Sequence, residues 1–145
     1  MLEVTSIDVG EGDSTLLVTP QGRTLLIDAG GPIGPGGSQL DFGEDVVSLY
    51  LSTRGISRLD AVAITHGHSD HIGGMIGVLK NFRPKELWIG LLPPSAALEH
   101  VISTAEGLGV KVVRHWEGDE FDLGRSHHPR AVSAARMAGR RQAAE

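Results

Sequence analysis

Apolar and polar residues alternate along the first thirty positions in a way that predicts short β-strands. Glycine-, proline- and aspartate-containing turns separate these segments, so consecutive strands are expected to pair antiparallel. The predicted strands cover 4–9, 14–19 and 23–28. The run 29–37 is rich in glycine and proline and is expected to form a loop long enough to be functional.

After this loop the apolar spacing alternates between the helical and the strand period. Helices are predicted over 43–54, 73–82 and 95–108, the last with Ser95 as its N-cap. Strands are predicted over 61–65, 86–89, 110–113 and 119–123. Antiparallel strands followed by strand–helix alternation predict an α/β layered domain.

The composition excludes several classes of protein. The chain has 145 residues, enough for one domain with its own core, and no cysteine, which excludes disulfides and thiolate metal sites. Its apolar runs are too short to span a bilayer, and the residues after Met1 do not resemble a signal peptide. The chain as written is therefore expected to be soluble and, by default, cytoplasmic.

Charge divides the chain into two parts. Residues 1–124 carry 8 Lys+Arg against 17 Asp+Glu, whereas residues 125–145 carry five arginines, one glutamate and six alanines. We predict one domain over 1–124 and an atypical tail over 125–145. The acidic body argues against a broad electrostatic surface for nucleic acid, although bound metal ions would reverse the local potential at a site.

The segment 65–71, Thr-His-Gly-His-Ser-Asp-His, concentrates metal-ligand side chains directly after an apolar strand. His66 and His68 are two residues apart and can face the same side of an extended backbone. Asp70 and His71 follow as the chain turns, toward a second position. Imidazole and carboxylate suit Zn²⁺, and two ions about 3.5–4 Å apart can activate a bridging water. The alternative is a chance cluster of solvated side chains.

Four segments in this order resemble one family. They are Ile7-Asp8-Val9-Gly10-Glu11-Gly12-Asp13-Ser14, Leu25-Leu26-Ile27-Asp28-Ala29-Gly30, the run from Arg54 to Ala61, and the histidine motif with Ile72-Gly73-Gly74. Together they resemble the metallo-β-lactamase-fold domain of the ComEC/Rec2 competence proteins, which take up DNA in bacteria. The resemblance implies that this α/β chain is the N-terminal half of a metallo-β-lactamase αββα sandwich.

The resemblance also implies a ligand set. His66 and His68 would bind a first divalent ion, and Asp70 and His71 a second one. Zn²⁺ is the expected metal, with Mn²⁺ as an alternative. Asp70 would also be catalytic, because it would orient the attacking water. Asp28 occupies the position where the superfamily keeps a carboxylate beneath the metals; the alternative is an aspartate that caps a loop.

The implied function is that of a metal-dependent hydrolase domain in a competence-type DNA-uptake protein. It would hydrolyse DNA phosphodiester bonds with a metal-activated water, and its partners would be the degraded DNA strand and the membrane channel of the same protein. Full-length relatives place this domain outside the membrane. Two alternatives stay open: a metallo-hydrolase of small esters, thioesters or lactams, and a non-catalytic, truncated remnant with little or no metal binding.

The remaining acidic and histidine residues have ordinary interpretations. Asp8 and Asp13 flank glycines and are expected to be turn residues. His100 on a helix and His115 at a strand end are expected to face solvent. The pair 127–128, two histidines before Pro129, is not expected to bind metal.

The family pattern has a second half that this sequence does not contain. The missing features are a strand ending in Gly-Asp, an aspartate that bridges the metals and a late histidine. We therefore hypothesise that the native reading ends near Gly124 and that the tail 125–145 is out of frame, because the composition changes abruptly there.

Overall fold

The computed structural model describes residues 1–9, 13–30, 46–66, 74–120 and 123, which form a mixed sheet flanked by helices. The strands are β1 (Glu3–Ser6), β2 (Thr15–Val18), β3 (Thr24–Ile27), β4 (Ala61–Ile64), β5 (Glu86–Ile89) and β6 (Lys111–Arg114). The helices in the described ranges are α1 (Ser48–Thr53), α2 (Met75–Phe82) and α3 (Ala96–Gly107).

The strands lie in the sheet in their order along the chain, from β1 to β6. The pairs β1–β2 and β2–β3 are antiparallel, and the pairs from β3 to β6 are parallel. Crossovers between parallel strands are almost always right-handed, so strands added in one direction place their connecting helices on one face. The described helices accordingly share a face, and the predicted α/β class is confirmed.

The main core lies between that face and the helices. Leu16, Leu26, Val62, Leu87 and Ile89 point from the strands into this layer and are at most 1% exposed. Val47, directly before α1, and the apolar sides of the three described helices complete the same cluster; the helix residues are Leu51, Met75, Val78, Leu79, Phe82, Leu98, Val101 and Ala105.

The opposite face of the sheet is also apolar. Leu25, Ala61 and Trp88 form a second buried cluster, against which further apolar side chains pack: Leu17, Ile27, Ala63, Val113 and Leu123. No helix in the described ranges contributes to this cluster. A sheet that is apolar on both faces is typical of an inner layer. This arrangement agrees with one half of an αββα sandwich.

The predicted limits of β5 and the predicted N-cap of α3 are confirmed, whereas the first strand ends at Ser6 and not at residue 9. Ser95 is the N-cap of α3, and its hydroxyl accepts a hydrogen bond of 3.1 Å from the Leu98 amide. The strand expected over 119–123 is not seen at Asp119 and Glu120, because the Asp119 amide instead donates to the Trp116 carbonyl at 3.0 Å in a turn. Residues 121–122, like most of the expected loop and the tail, lie outside the described residues.

The helices in the described ranges are all short relative to a bilayer. None of them is long and apolar enough to cross a membrane.

Asp60 joins the strands at the edge where β4 begins. Its Oδ2 accepts a 2.8 Å hydrogen bond from the amide of Thr24, the first residue of β3. Its Oδ1 lies 3.3 Å from Nη1 of Arg23 and 3.5 Å from Nζ of Lys85. Partial burial raises the pKa of Asp60, but the hydrogen bonds and the two cations outweigh burial and lower this pKa below its ordinary value.

We expect Asp60→Asn to lower the free energy of unfolding by about 1–3 kcal/mol at neutral pH. The lowered pKa means that the native state favours the ionised carboxylate. This contribution is complete above the pKa of the unfolded state and is lost as the pH falls through the lower, native value. Urea unfolding at decreasing pH should therefore show the wild type and the variant converging.

Glu106→Gln is the control for this experiment, since it removes an exposed carboxylate from α3 without removing a strand contact. It should change the free energy of unfolding by less than about 0.5 kcal/mol. A difference between Asp60→Asn and the wild type that stays constant with pH would contradict the electrostatic explanation.

Candidate metal centre

The carboxyl ends of β3 and β4 meet at one edge of the sheet. Because these strands are parallel neighbours, Asp28 after β3 and Thr65 after β4 lie side by side. The Asp28 amide donates to the Ala63 carbonyl at 2.9 Å and extends the strand pairing beyond Ile27. Two segments that are far apart in the sequence thereby form one edge.

Asp28 is held firmly in this position. It is 3% exposed, and its backbone has φ = 59°, a left-handed conformation that aspartate tolerates better than most residues. Its carbonyl accepts a 2.9 Å hydrogen bond from the Ser14 hydroxyl. Its carboxylate accepts from the Thr65 amide at 2.9 Å and also from the Thr65 hydroxyl.

The Thr65 hydroxyl also contacts the first histidine of the motif. Its Oγ1 lies 2.9 Å from Nδ1 of His66. Thr65 therefore joins the buried carboxylate of Asp28 to the exposed imidazole of His66. A metal-binding histidine commonly has its second ring nitrogen held by a hydrogen-bonding group of this kind.

Gly30 connects this edge to two further parts of the chain. Its amide donates to the Asp13 carbonyl at 3.0 Å, and its carbonyl accepts from the Gly74 amide, just before α2, at 2.9 Å. Gly30 has φ = 66°, and a Cβ at this position would lie 2.8 Å from Cγ2 of Val9. Only glycine satisfies both the backbone conformation and this close approach.

The structure brings Asp28 and His66 to the same edge of the sheet, where Thr65 joins them. The other predicted ligands, His68, Asp70 and His71, lie outside the described residues. Within the described ranges no group of three or more potential ligand side chains is assembled. The four-residue ligand set, the catalytic role of Asp70 and the supporting role of Asp28 therefore stay predictions.

The described part of the motif has suitable chemistry for a divalent metal. An imidazole at an exposed strand end, backed by a hydroxyl and a buried carboxylate, is the environment that zinc-binding histidines use. We conclude that His66 and its supporting residues fit the metal that the sequence implies.

The sequence also predicts the surroundings of the other histidines and of two further aspartates. His100 is exposed on α3, as expected. Asp8 and Asp13 are exposed, but residues 10–12 between them lie outside the described residues, so their role in a turn stays a prediction. The histidines at 127–128 lie outside the described residues.

The prediction that His115 faces solvent is wrong. Its side chain is 20% exposed, and its ring packs edge-on against Trp88 with the ring centroids 5.4 Å apart. Its Nδ1 lies 3.8 Å from Oδ2 of Asp119, the residue that closes the turn after β6. Burial lowers the pKa of His115, and the charges of Asp119 and Glu86 only partly oppose this effect.

Thr65 is the residue at this site to which the sequence assigned no role. Its hydroxyl matters because it lies between the carboxylate of Asp28, directly after β3, and the imidazole of His66, after β4; Thr65 and Asp28 are 37 residues apart in the chain. The available signal was a hydroxyl residue at the end of a buried strand, directly before the first histidine.

Comparisons with known proteins agree with this fold. The sequence profile of the Metallo-beta-lactamase superfamily matches residues 7–132, and the chain belongs to this superfamily. It is 34% identical over 131 residues to ComE operon protein 3 of Bacillus subtilis (strain 168), a match that covers 83% of this chain. This similarity confirms the resemblance to the competence family.

Two other proteins extend the comparison. Ribonuclease Z of Aeropyrum pernix is 30% identical over 122 residues, which cover 77% of this chain. A solved metallo-beta-lactamase from Cronobacter sakazakii, carrying motif mutations, superposes with a TM-score of 0.56 at 22% identity over 83% of this chain, which supports the fold.

The chain spans only part of each of these relatives. The match covers 17% of ComE operon protein 3 and 35% of the ribonuclease Z. It covers 47% of the solved metallo-beta-lactamase chain.

Proposed function

We propose that this chain acts as a metal-dependent hydrolase domain of a competence-type DNA-uptake protein and cleaves DNA phosphodiester bonds. The observation that carries the proposal is the hydrogen-bonded series Asp28–Thr65–His66 at the carboxyl edge of the sheet. These hydrogen bonds orient the first imidazole of the histidine motif for a metal ion. The chain that carries them belongs to the metallo-beta-lactamase superfamily.

The similarities favour nucleic acid over a small substrate. One relative is a protein of the ComE operon, and another is a ribonuclease by name. Both names are compatible with a domain that acts on the phosphodiester backbone of a nucleic acid. We extend the proposal to the partners: the degraded DNA strand and the membrane channel of a longer competence protein, with this domain on the outer side of the membrane.

The chain's own residues would have distinct tasks. His66 and His68 would hold one divalent ion, and Asp70 and His71 a second. Asp28 and Thr65 would keep His66 in a fixed orientation, so that little reorganisation is needed when the site is loaded. Asp70 would also orient the attacking water. Divalent ions in such a site lower the pKa of a coordinated water and neutralise negative charge on the phosphate.

A comparison of substrates tests this proposal. The full chain, supplied with Zn²⁺ or Mn²⁺, is incubated in parallel with a fluorescent single-stranded DNA, an RNA of the same sequence, a chromogenic ester, a thioester and a lactam. We expect cleavage of the DNA. His66→Gln should reduce this activity about 100-fold or more, because it removes a ligand whose supporting groups alone are typically worth 10–100-fold.

His100→Gln is the matched control, since it makes the same substitution at an exposed histidine on α3. It should leave cleavage unchanged. Cleavage of the ester, thioester or lactam without cleavage of DNA would replace the proposal with a small-molecule hydrolase. Metal binding without cleavage of any substrate would support the non-catalytic alternative.

A further inference from the structure

The hydrogen bonds at Thr65 have a defined direction. The hydroxyl of a threonine has one proton and can donate only one hydrogen bond, whereas its oxygen can accept others. The Thr65 hydroxyl donates to Oδ2 of Asp28, and the Thr65 amide donates to Oδ1 of the same carboxylate. The only proton of the hydroxyl is therefore directed toward Asp28.

His66 must then supply the proton for its own contact with Thr65. Nδ1 of His66 lies 2.9 Å from Thr65 Oγ1, which is hydrogen-bonding distance. The oxygen has only lone pairs left for this contact, so Nδ1 must be the protonated nitrogen. In a neutral imidazole the other nitrogen, Nε2, then carries the lone pair.

We propose that Thr65 is a positioning residue that holds His66 as its Nδ1-protonated tautomer and thereby keeps the Nε2 lone pair for a divalent metal ion. The use of Nε2 rests on the proposed function. The tautomer itself does not, because it follows from the donors and acceptors of Asp28, Thr65 and His66. The two claims can therefore fail separately.

Asp28→Asn should reverse the direction of this series with almost no change in shape. The Thr65 amide can only donate, so the carbonyl oxygen of the new side chain must face it. The new amide nitrogen then faces Thr65 Oγ1 and donates to it. The hydroxyl proton becomes available to His66 Nδ1, which would accept it, and the proton of the ring would move to Nε2.

The test is long-range ¹H–¹⁵N correlation spectroscopy on the full, metal-free chain labelled with ¹⁵N. Spectra are recorded at about pH 8.5, above the ordinary histidine pKa of about 6.5, so that neutral rings dominate. The two nitrogens of a neutral ring have clearly different shifts, which identify the protonated one. The signals of His66 are those that disappear in His66→Gln.

We expect the wild type and Thr65→Ser to show a protonated Nδ1 at His66. Asp28→Asn should move the proton to Nε2, and Thr65→Val should leave a mixture of the two tautomers. Thr104→Val is the matched control: the Thr104 hydroxyl donates to the His100 carbonyl at 2.8 Å on α3, far along the chain from the motif. It should leave His66 unchanged.

Zinc affinity provides a second readout. The dissociation constant should rise about 10–100-fold in Asp28→Asn and Thr65→Val, and change little in Thr65→Ser and Thr104→Val. A wild type protonated at Nε2, or an Asp28→Asn variant that keeps the proton on Nδ1, would overturn the inference even if DNA is cleaved. A confirmed tautomer without cleavage would instead refute the proposed function alone.

Discussion

Replacing Gly30 with alanine is expected to lower the free energy of unfolding by about 2–5 kcal/mol, the largest loss of stability that we predict for a single methyl group. A left-handed backbone costs a residue with a Cβ about 1–2 kcal/mol, and forcing atoms into a filled core costs about 1–3 kcal/mol more. Both apply here, because φ is 66° and the added Cβ would lie 2.8 Å from Val9 Cγ2 and 2.9 Å from Val9 Cβ. Denaturant unfolding measures the loss.

Gly22→Ala separates the two contributions. Gly22 has φ = 82° but nothing within 4 Å of the position a Cβ would take, so only the backbone cost of about 1–2 kcal/mol should be seen. Val9→Ala in the Gly30→Ala background should recover part of the loss, since it removes the nearest contact atom. Equal losses at Gly22 and Gly30 would show that the close approach to Val9 does not matter.

Zinc is expected to stabilise the chain through the histidine motif. A ligand that binds only the native state at a free concentration of 100 times its dissociation constant adds about 2.7 kcal/mol to the free energy of unfolding. His66→Gln should abolish most of this gain, because it removes the ligand that Asp28 and Thr65 orient. Thermal unfolding over a zinc titration measures both effects.

His100→Gln is again the control, and it should retain the full stabilisation by zinc. An equal gain in the wild type and in His66→Gln would place the zinc elsewhere on the chain and contradict the predicted ligand set. A gain lost in both variants would indicate that the ion binds histidines without regard to the motif.

The elements that were predicted well are those that depend on neighbouring residues. The α3 helix follows from its apolar spacing and from Ser95, whose hydroxyl caps the helix within three residues of itself. The β5 strand, Glu86–Ile89, matches its predicted limits because its apolar residues follow Glu86 and are interrupted by Gly90. Local steric and hydrogen-bonding preferences are sufficient for both.

His115 shows where this approach fails. Its position at a strand end suggested an exposed side chain, yet the ring lies against Trp88 from the neighbouring strand β5. No local pattern reports the pairing of β5 with β6, or that this pairing brings an aromatic ring beside the imidazole. Contacts across strands require the register of the sheet.

The candidate site likewise has features that local sequence predicts and contacts that only the folded chain reveals. The sequence by itself determined the α/β class, the family resemblance and the histidine motif, because each is a local pattern of residue types. Only the tertiary structure decided that Thr65 joins Asp28 to His66, and that Gly30 must approach Val9 closely. The physical reason is the parallel pairing of β3 with β4: it brings together side chains 37 residues apart, and the direction of a hydrogen bond is defined only when donor and acceptor meet.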